Sequence, residues 1–203
     1  SAEGAFVLAV QFKREQNLEG AESHFKRSIT LAPTWSWPYA GLGDLLGRHS
    51  FQRREEAMEV LQKAADLDPE WGRPHSIMAV ILRAERKFEA ARVEAEKALQ
   101  YMPDQLATLN NYANILMDLD RYEEAEVYLK KAIDNFPEQA KPYYNLACLY
   151  SLRNRPDESI DMLKEAFQRS DSLRQEASND GDLQPLLGLP GFEALLDRDT
   201  PPS

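Results

Sequence analysis

The sequence has very little cysteine and histidine: one cysteine, Cys148, and three histidines among 203 residues. A single cysteine excludes an internal disulfide framework and is compatible with a reducing compartment. None of His24, His49 and His75 has a His or Cys neighbour at metal-ligand spacing, so we predict no metal site and no other cofactor. We expect a cytoplasmic location, although the cysteine content alone leaves the periplasm open.

The chain also lacks long apolar runs and a surplus of basic residues. The longest apolar run, residues 5–10, falls far short of the ~20 residues that a membrane-spanning helix needs. The net charge of −10 argues against binding to nucleic acid or to an anionic membrane surface. No nucleophile with a partner base can be identified, so we predict that the chain is not an enzyme. These absences leave binding or structural roles.

What the sequence does contain is helical periodicity, clearest from residue 106 to residue 139. Leu109, Tyr112, Ala113 and Leu116 recur at the spacing of one helix face. The same pattern returns in the next helix at Tyr122, Ala125, Leu129 and Ala132. We therefore predict two amphipathic helices with a break at 118–121. Neither helix can bury its apolar stripe alone, so the unit needs a stacked second copy.

Such copies are present at a period of 34 residues. Ala57, Ala91, Ala125 and Ser159 are 34 residues apart, and Pro69, Pro103 and Pro137 keep the same step. Two helices in a 34-residue unit with alanines and a closing proline at these places resemble the tetratricopeptide repeat family. In that register there are five repeats, and residues 172–196 are similar to the capping helices that follow many such arrays. The predicted repeats span approximately 2–33, 34–69, 70–103, 104–137 and 138–171, and residues 197–203 are predicted to be a disordered end or a linker.

The resemblance implies an all-α, right-handed superhelical solenoid of antiparallel helix pairs. We call the first helix of each pair the leading helix and the second the trailing helix. The predicted leading helices carry a net charge of +4 and the trailing helices −5. We therefore expect the excess of acidic residues in the repeats to lie on the layer formed by the trailing helices.

In this family the leading helices line a concave groove, which implies a scaffold that binds a peptide or a partner helix. Basic side chains could pair with carboxylates, and asparagine amides could hydrogen-bond the backbone of an extended peptide. We therefore expect a protein or peptide partner that is acidic or extended. The candidate contact residues are Arg73, Arg83, Asn110, Asn111, Asn114, Lys141, Tyr144 and Asn145.

Two alternatives remain open at this stage. Phe6, Val7 and Val10 form an apolar face on the first leading helix, where the chain could assemble into a homo-oligomer and serve as a structural module. Trp37 is a further interface candidate at a groove-facing position, although packing at a repeat junction is the explanation that we favour. The chain could also be a regulatory or targeting domain of a larger enzyme.

Overall fold

Helices form all the regular secondary structure in the part of the chain that the structure covers. The computed structural model describes residues 1–197. The leading helices are α1 (Ala2–Arg14), α3 (Ser36–His49), α5 (Arg73–Ala84), α7 (Leu106–Asp118) and α9 (Ala140–Leu152). The trailing helices are α2 (Leu18–Leu31), α4 (Arg54–Leu67), α6 (Phe88–Tyr101), α8 (Tyr122–Asn135) and α10 (Pro156–Arg169). Each leading helix packs against the trailing helix that follows it.

Shorter helices complete the described chain. A 3-10 helix at Phe51–Arg53 joins α3 to α4, in the repeat that is predicted to be longest. After α10 come α11 (Leu173–Ala177), a second 3-10 helix (Gly181–Leu186) and α12 (Pro190–Leu196). The repeat and cap boundaries drawn from the sequence stay predictions. Of the predicted disordered end or linker, only Asp197 lies within the described residues.

The helices group into two compact units. The first covers Ser1–Pro103 and contains α1 to α6, and the second begins at Asp104 and contains α7 to α12. Within the first unit, α1, α3 and α5 contact one another in sequence, and within the second unit α7 contacts α9. In each unit the leading helices therefore lie side by side and present a common face.

A residue with left-handed backbone conformation follows four of the leading helices. Gln16, Arg86, Asp120 and Asn154 have φ angles of 59°, 60°, 57° and 55°. Each residue follows the end of its helix by two positions, where the chain must reverse direction in a few residues. None of the four is glycine. Residues that carry a side chain disfavour this left-handed conformation, so each of these turns stores backbone strain.

Small residues lie where the two helices of a pair approach each other. Ala21, Ala57, Ala91, Ala125 and Ser159 are all fully buried, with 0 % of their surface exposed. Gly43 is the corresponding small residue on α3: a Cβ atom added there would lie 2.5 Å from Cγ of Leu61. Where serine replaces alanine, its hydroxyl group finds a backbone acceptor, since Oγ of Ser159 donates to the carbonyl of Ala147 at 2.7 Å.

The segment after α10 packs onto the last helix pair. The second 3-10 helix contacts α9, and α12 contacts α10 and α11. Leu183, Leu186 and Phe192 are at most 1 % exposed, so this segment contributes its own apolar side chains to the core of the second unit. No helix among residues 1–197 is both long and apolar enough to cross a membrane.

Candidate functional site

Helix α5 in the first unit is buried except for one stripe and its last residue. Arg73 and Arg83 are exposed, and Ser76 and Val80 are half-buried between them. At 100° per residue these four positions fall within about 80° of one another, and the two arginines lie about 15 Å apart along the helix axis. We call these four residues the α5 stripe. It places a positive charge at each end of the open face of α5.

An aromatic cluster adjoins this stripe in the chain. Trp37, on α3, is 51 % exposed, and its ring stacks on that of Trp71, with centroids 5.7 Å apart and planes 16° from parallel. Phe6 contacts Trp37 edge-on at 6.2 Å and also contacts Trp35 at 5.0 Å. Trp71 lies two residues before Arg73, the first residue of α5. The sequence places both tryptophans near repeat junctions, but does not predict that one ring stacks on the other.

Only part of the predicted apolar face of α1 is exposed to solvent. Phe6 is half-buried within the aromatic cluster, and Val10 is half-buried against the core of the first unit. Val7 is 62 % exposed and its neighbour Leu8 is 43 % exposed. The open apolar surface of α1 is therefore formed by Val7 and Leu8.

Helix α3 carries a buried carboxylate between two cations. Asp44 is 6 % exposed and forms ion pairs with Lys13 of α1 and Arg48 of α3. Burial by itself would raise the pKa of Asp44, but the hydrogen bonds and charges of Lys13 and Arg48 keep it below its usual range. The carboxylate is ionised at neutral pH and already satisfied, so it is not free to bind a ligand.

Helix α7 in the second unit also has one open stripe. It consists of Ala107, Asn111, Asn114 and Asp118, which recur at helical spacing, and we call it the α7 stripe. Asn111 and Asn114 are half-buried, and their amide groups make no hydrogen bond to residues 1–197. Asn110 is buried instead, and its side-chain oxygen accepts a hydrogen bond of 3.4 Å from Nδ2 of Asn145. Of the four predicted asparagines, two are thus accessible and two bond to each other.

Helix α9 has no open stripe, since every residue from Pro142 to Ser151 is buried. The hydroxyl group of Tyr144 donates to the Asp180 carboxylate at 2.7 Å. Nζ of Lys141 lies 2.5 Å from Glu176 and 4.6 Å from the centroid of the Tyr144 ring. Tyr144 is therefore covered, whereas Lys141 is exposed but already paired with Glu176.

The thiol of Cys148 lies beside the same carboxylate. Its Sγ atom is 3.8 Å from Oδ2 of Asp180, and burial together with this negative charge raises the pKa of Cys148 well above its usual range. The thiol therefore stays protonated and is a poor nucleophile. Potential ligand atoms of Cys148, Asp180 and Asp182 lie within 4.8 Å of one another. Since Asp180 accepts hydrogen bonds from Tyr144 and Cys148, we interpret this cluster as the attachment of the C-terminal segment to α9.

The second unit contains the part of the chain that matches a known family. The sequence profile of the tetratricopeptide repeat matches residues 104–172, which comprise α7 to α10. This segment of the chain carries tetratricopeptide repeats. The resemblance drawn from the 34-residue period is thereby confirmed.

Solved structures show the same fold over most of the chain. PilW, a type IV pilus biogenesis factor, has 16 % identity and a TM-score of 0.79, covering 96 % of this chain and 90 % of its own. TTC0263 from Thermus thermophilus has 18 % identity and a TM-score of 0.72, covering 87 % and 96 %. YrrB, described as a tetratricopeptide repeat protein with an unusual peptide-binding site, has 17 % identity and a TM-score of 0.63, covering 84 % and 87 %. No curated protein sequence matched the chain.

These likenesses confirm the predicted all-α fold of antiparallel helix pairs. At 16–18 % identity they concern the fold alone. Which residues bind a partner has to be argued from this chain's own surface.

Proposed function

We propose that this tetratricopeptide repeat protein is a noncatalytic scaffold of the cytoplasm that binds acidic or extended segments of partner proteins on its leading helices. The observation that carries the proposal is the α5 stripe, the open face of a helix that is otherwise buried. Two arginines about 15 Å apart suit a peptide with carboxylates several residues apart. The peptide-binding site described for YrrB supports a peptide ligand for a chain of this fold.

The α7 stripe supports a binding role for the second unit as well. Each of the Asn111 and Asn114 amides offers both a donor and an acceptor, which is what the backbone of an extended peptide requires. In this proposal each stripe acts within its own unit: the α5 stripe supplies charge to a segment bound on the first unit, and the α7 stripe supplies backbone hydrogen bonds to a segment bound on the second. Lys141, Tyr144 and Asn145 contribute indirectly, by holding α9 and the C-terminal segment in place.

The test is fluorescence anisotropy with a library of labelled twelve-residue peptides that vary in charge. We expect acidic members to bind most tightly, and we expect Arg73→Glu with Arg83→Glu to weaken their binding at least tenfold, about 1.4 kcal/mol. The matched control is Arg27→Glu with Lys63→Glu, which makes the same change of charge on exposed faces of trailing helices. Equal loss in both double variants would assign the effect to net charge and overturn the role of the α5 stripe.

A second candidate function, self-assembly, is favoured by the exposure of α1. Leu8 is 43 % exposed, whereas the corresponding residues Leu42 of α3 and Met78 of α5 are 3 % and 1 % exposed. Sedimentation velocity at several protein concentrations tests it. Association that Val7→Glu abolishes would support self-assembly through this face, and a monomer at every concentration would remove the idea.

A further inference from the structure

The exposed side of α1 carries an uncharged stripe. Gly4, Val7, Leu8 and Gln11 recur at the spacing of one helix face, and all four are exposed. We call these four residues the α1 stripe. A Cβ atom added at Gly4 would lie 3.3 Å from Oγ of Ser1 and would meet no other helix among residues 1–197. A second helix could therefore approach closely along this face.

Two charged residues border the α1 stripe on the same edge. Glu3 in the first turn and Arg14 in the last turn are exposed, and neither forms an ion pair with any residue from 1 to 197. Eleven residues separate them, so they point in directions about 20° apart and lie about 16.5 Å from each other along the helix axis. This edge of α1 therefore has a free negative charge at one end and a free positive charge at the other.

The α1 stripe is complementary to itself when two copies of the helix run antiparallel. If Val7 of one copy packs opposite Leu8 of the other, the centre of the contact is apolar. In the same register Gly4 of each copy lies opposite Gln11 of its partner. The residue without a side chain then leaves room for the longer one, and the helix axes can approach closely.

The charges on the edge of α1 are complementary in the same arrangement. A two-fold axis relates the copies, so the charged edges of both helices lie on the same side of the contact. Glu3 of one copy is then about 3 Å along the axis from the level of Arg14 of the other. Side chains of a helix lean toward its N-terminus, which brings the carboxylate and the guanidinium group closer still. Two equivalent ion pairs result, one at each end of the contact.

The C-terminal segment limits how copies can join. In the second unit this segment covers the last helix pair, since α12 packs on α10 and the second 3-10 helix packs on α9. Stacking of α1 on the last helix pair of another copy would continue the repeats into a filament, but the segment already occupies that place. Contact between two α1 stripes uses the same patch on both copies and therefore closes after two.

We propose that two copies of this chain pair through antiparallel α1 helices, with the α1 stripes in contact and an ion pair between Glu3 and Arg14 at each end. The inference rests on the second candidate function, self-assembly, and specifies it. The partner is one further copy, the arrangement is antiparallel, and the assembly is a dimer.

The experiment reverses one charge at a time and measures association by sedimentation velocity at several concentrations. We expect Glu3→Arg and Arg14→Glu each to raise the dissociation constant of the dimer at least tenfold, because each places like charges together at both ends of the contact. An equimolar mixture of the two variants should associate to within about threefold of the parent, since their heterodimer has opposite charges at both ends again.

The matched controls are Glu59→Arg and Lys63→Glu. Both residues are exposed on α4, and neither forms an ion pair within residues 1–197. These variants make the same changes of net charge away from α1. Each should leave the dissociation constant within about twofold of the parent.

Each outcome bears on a separate part of the proposal. A monomer at every concentration overturns it together with self-assembly. Association that neither charge reversal weakens overturns the antiparallel pairing and leaves self-assembly standing. A mixture that stays monomeric, although circular dichroism shows both variants folded, overturns the ion pairs across the contact. Assemblies larger than a dimer overturn the closed pair. The acidic-peptide scaffold is tested independently by the peptide library.

Discussion

The hydroxyl group of Tyr144 and the carboxylate of Asp180 are joined by a hydrogen bond of 2.7 Å that attaches the C-terminal segment to α9. Burial and this hydrogen bond raise the pKa of Tyr144 well above its usual range, so the hydroxyl group remains a donor at all moderate pH values. Tyr144→Phe should lower the free energy of unfolding by about 1.5 kcal/mol, since the acceptor is charged. Urea denaturation followed by circular dichroism measures the change.

The control for this substitution is Tyr128→Phe. The hydroxyl group of Tyr128 makes no hydrogen bond to residues 1–197, and its ring contact with Tyr112 survives the change. We expect Tyr128→Phe to change the free energy of unfolding by less than about 0.5 kcal/mol. Equal effects at the two positions would mean that the bond to Asp180 contributes nothing specific.

The left-handed turn at Gln16 predicts a stabilising substitution. Gln16 has a φ angle of 59°, which glycine adopts without strain. Gln16→Gly should raise the free energy of unfolding by about 0.5–1 kcal/mol, because the relief of backbone strain exceeds the entropic cost of glycine. The same change at Gln62, inside α4, should lower it by about 1 kcal/mol. Thermal unfolding of both variants gives the signs, and a decrease at Gln16 would contradict the argument.

The pairing of Glu22 with Arg53 predicts a pH dependence. Oε2 and Oε1 of Glu22 accept hydrogen bonds of 2.6 and 2.8 Å from Arg53, which lower the pKa of Glu22 from 4.5 to about 2. The folded state has the lower pKa, so this pair stabilises the fold above pH 4.5 and the contribution disappears as the pH falls toward 2.

Glu22→Gln should therefore lower the free energy of unfolding by about 1 kcal/mol at neutral pH. Near pH 2 it should change the free energy of unfolding very little. Urea denaturation across the pH range measures the difference from the parent protein. Glu59→Gln serves as the control, because Glu59 is exposed and pairs with no cation among residues 1–197. A constant difference for Glu22→Gln down to the lowest pH would be inconsistent with the lowered pKa.

The close approach of α3 to α4 predicts that Gly43 tolerates no side chain. A Cβ atom there would lie 2.5 Å from Leu61, which is fully buried, and 3.2 Å from the carbonyl oxygen of Ala57. Gly43→Ala should lower the free energy of unfolding by about 1–3 kcal/mol through overpacking. Gly181→Ala, where a Cβ atom meets nothing within 4 Å, should be nearly neutral. Unfolding midpoints that fall equally in both variants would argue against a steric cause.

The regular part of the fold could be predicted from the sequence because its signal is local and repeated. The period predicts a break between two helices at 118–121, and α7 ends at Asp118 while α8 begins at Tyr122. The small residues at Ala57, Ala91 and Ala125 mark the contacts within pairs. Each of these features appears several times in one register, so a misassignment at one repeat would conflict with the others.

The candidate site was less predictable from the sequence. Other residues of the same chain occupy some of the positions that the repeat pattern marks as ligand contacts. Asn110 and Asn145 have the residue type and spacing of ligand contacts, but equivalent surfaces of neighbouring repeats meet and the two amides bond to each other. Tyr144 has a groove-facing position in the repeat, yet Asp180 belongs to a segment outside the period and closes over it. Trp71 is the equivalent of Trp35 in the repeat register, so the sequence does not predict that it stacks on Trp37.

The distribution of tryptophan has a consequence for watching this protein unfold. All three tryptophans, Trp35, Trp37 and Trp71, belong to the first unit. Indole emission therefore reports on that unit alone, whereas far-ultraviolet dichroism averages over helices of both. A single cooperative transition would give coincident midpoints by the two probes, and independent melting of the units would separate them. Tryptophan fluorescence is thus an intrinsic probe of the first unit that requires no chemical labelling.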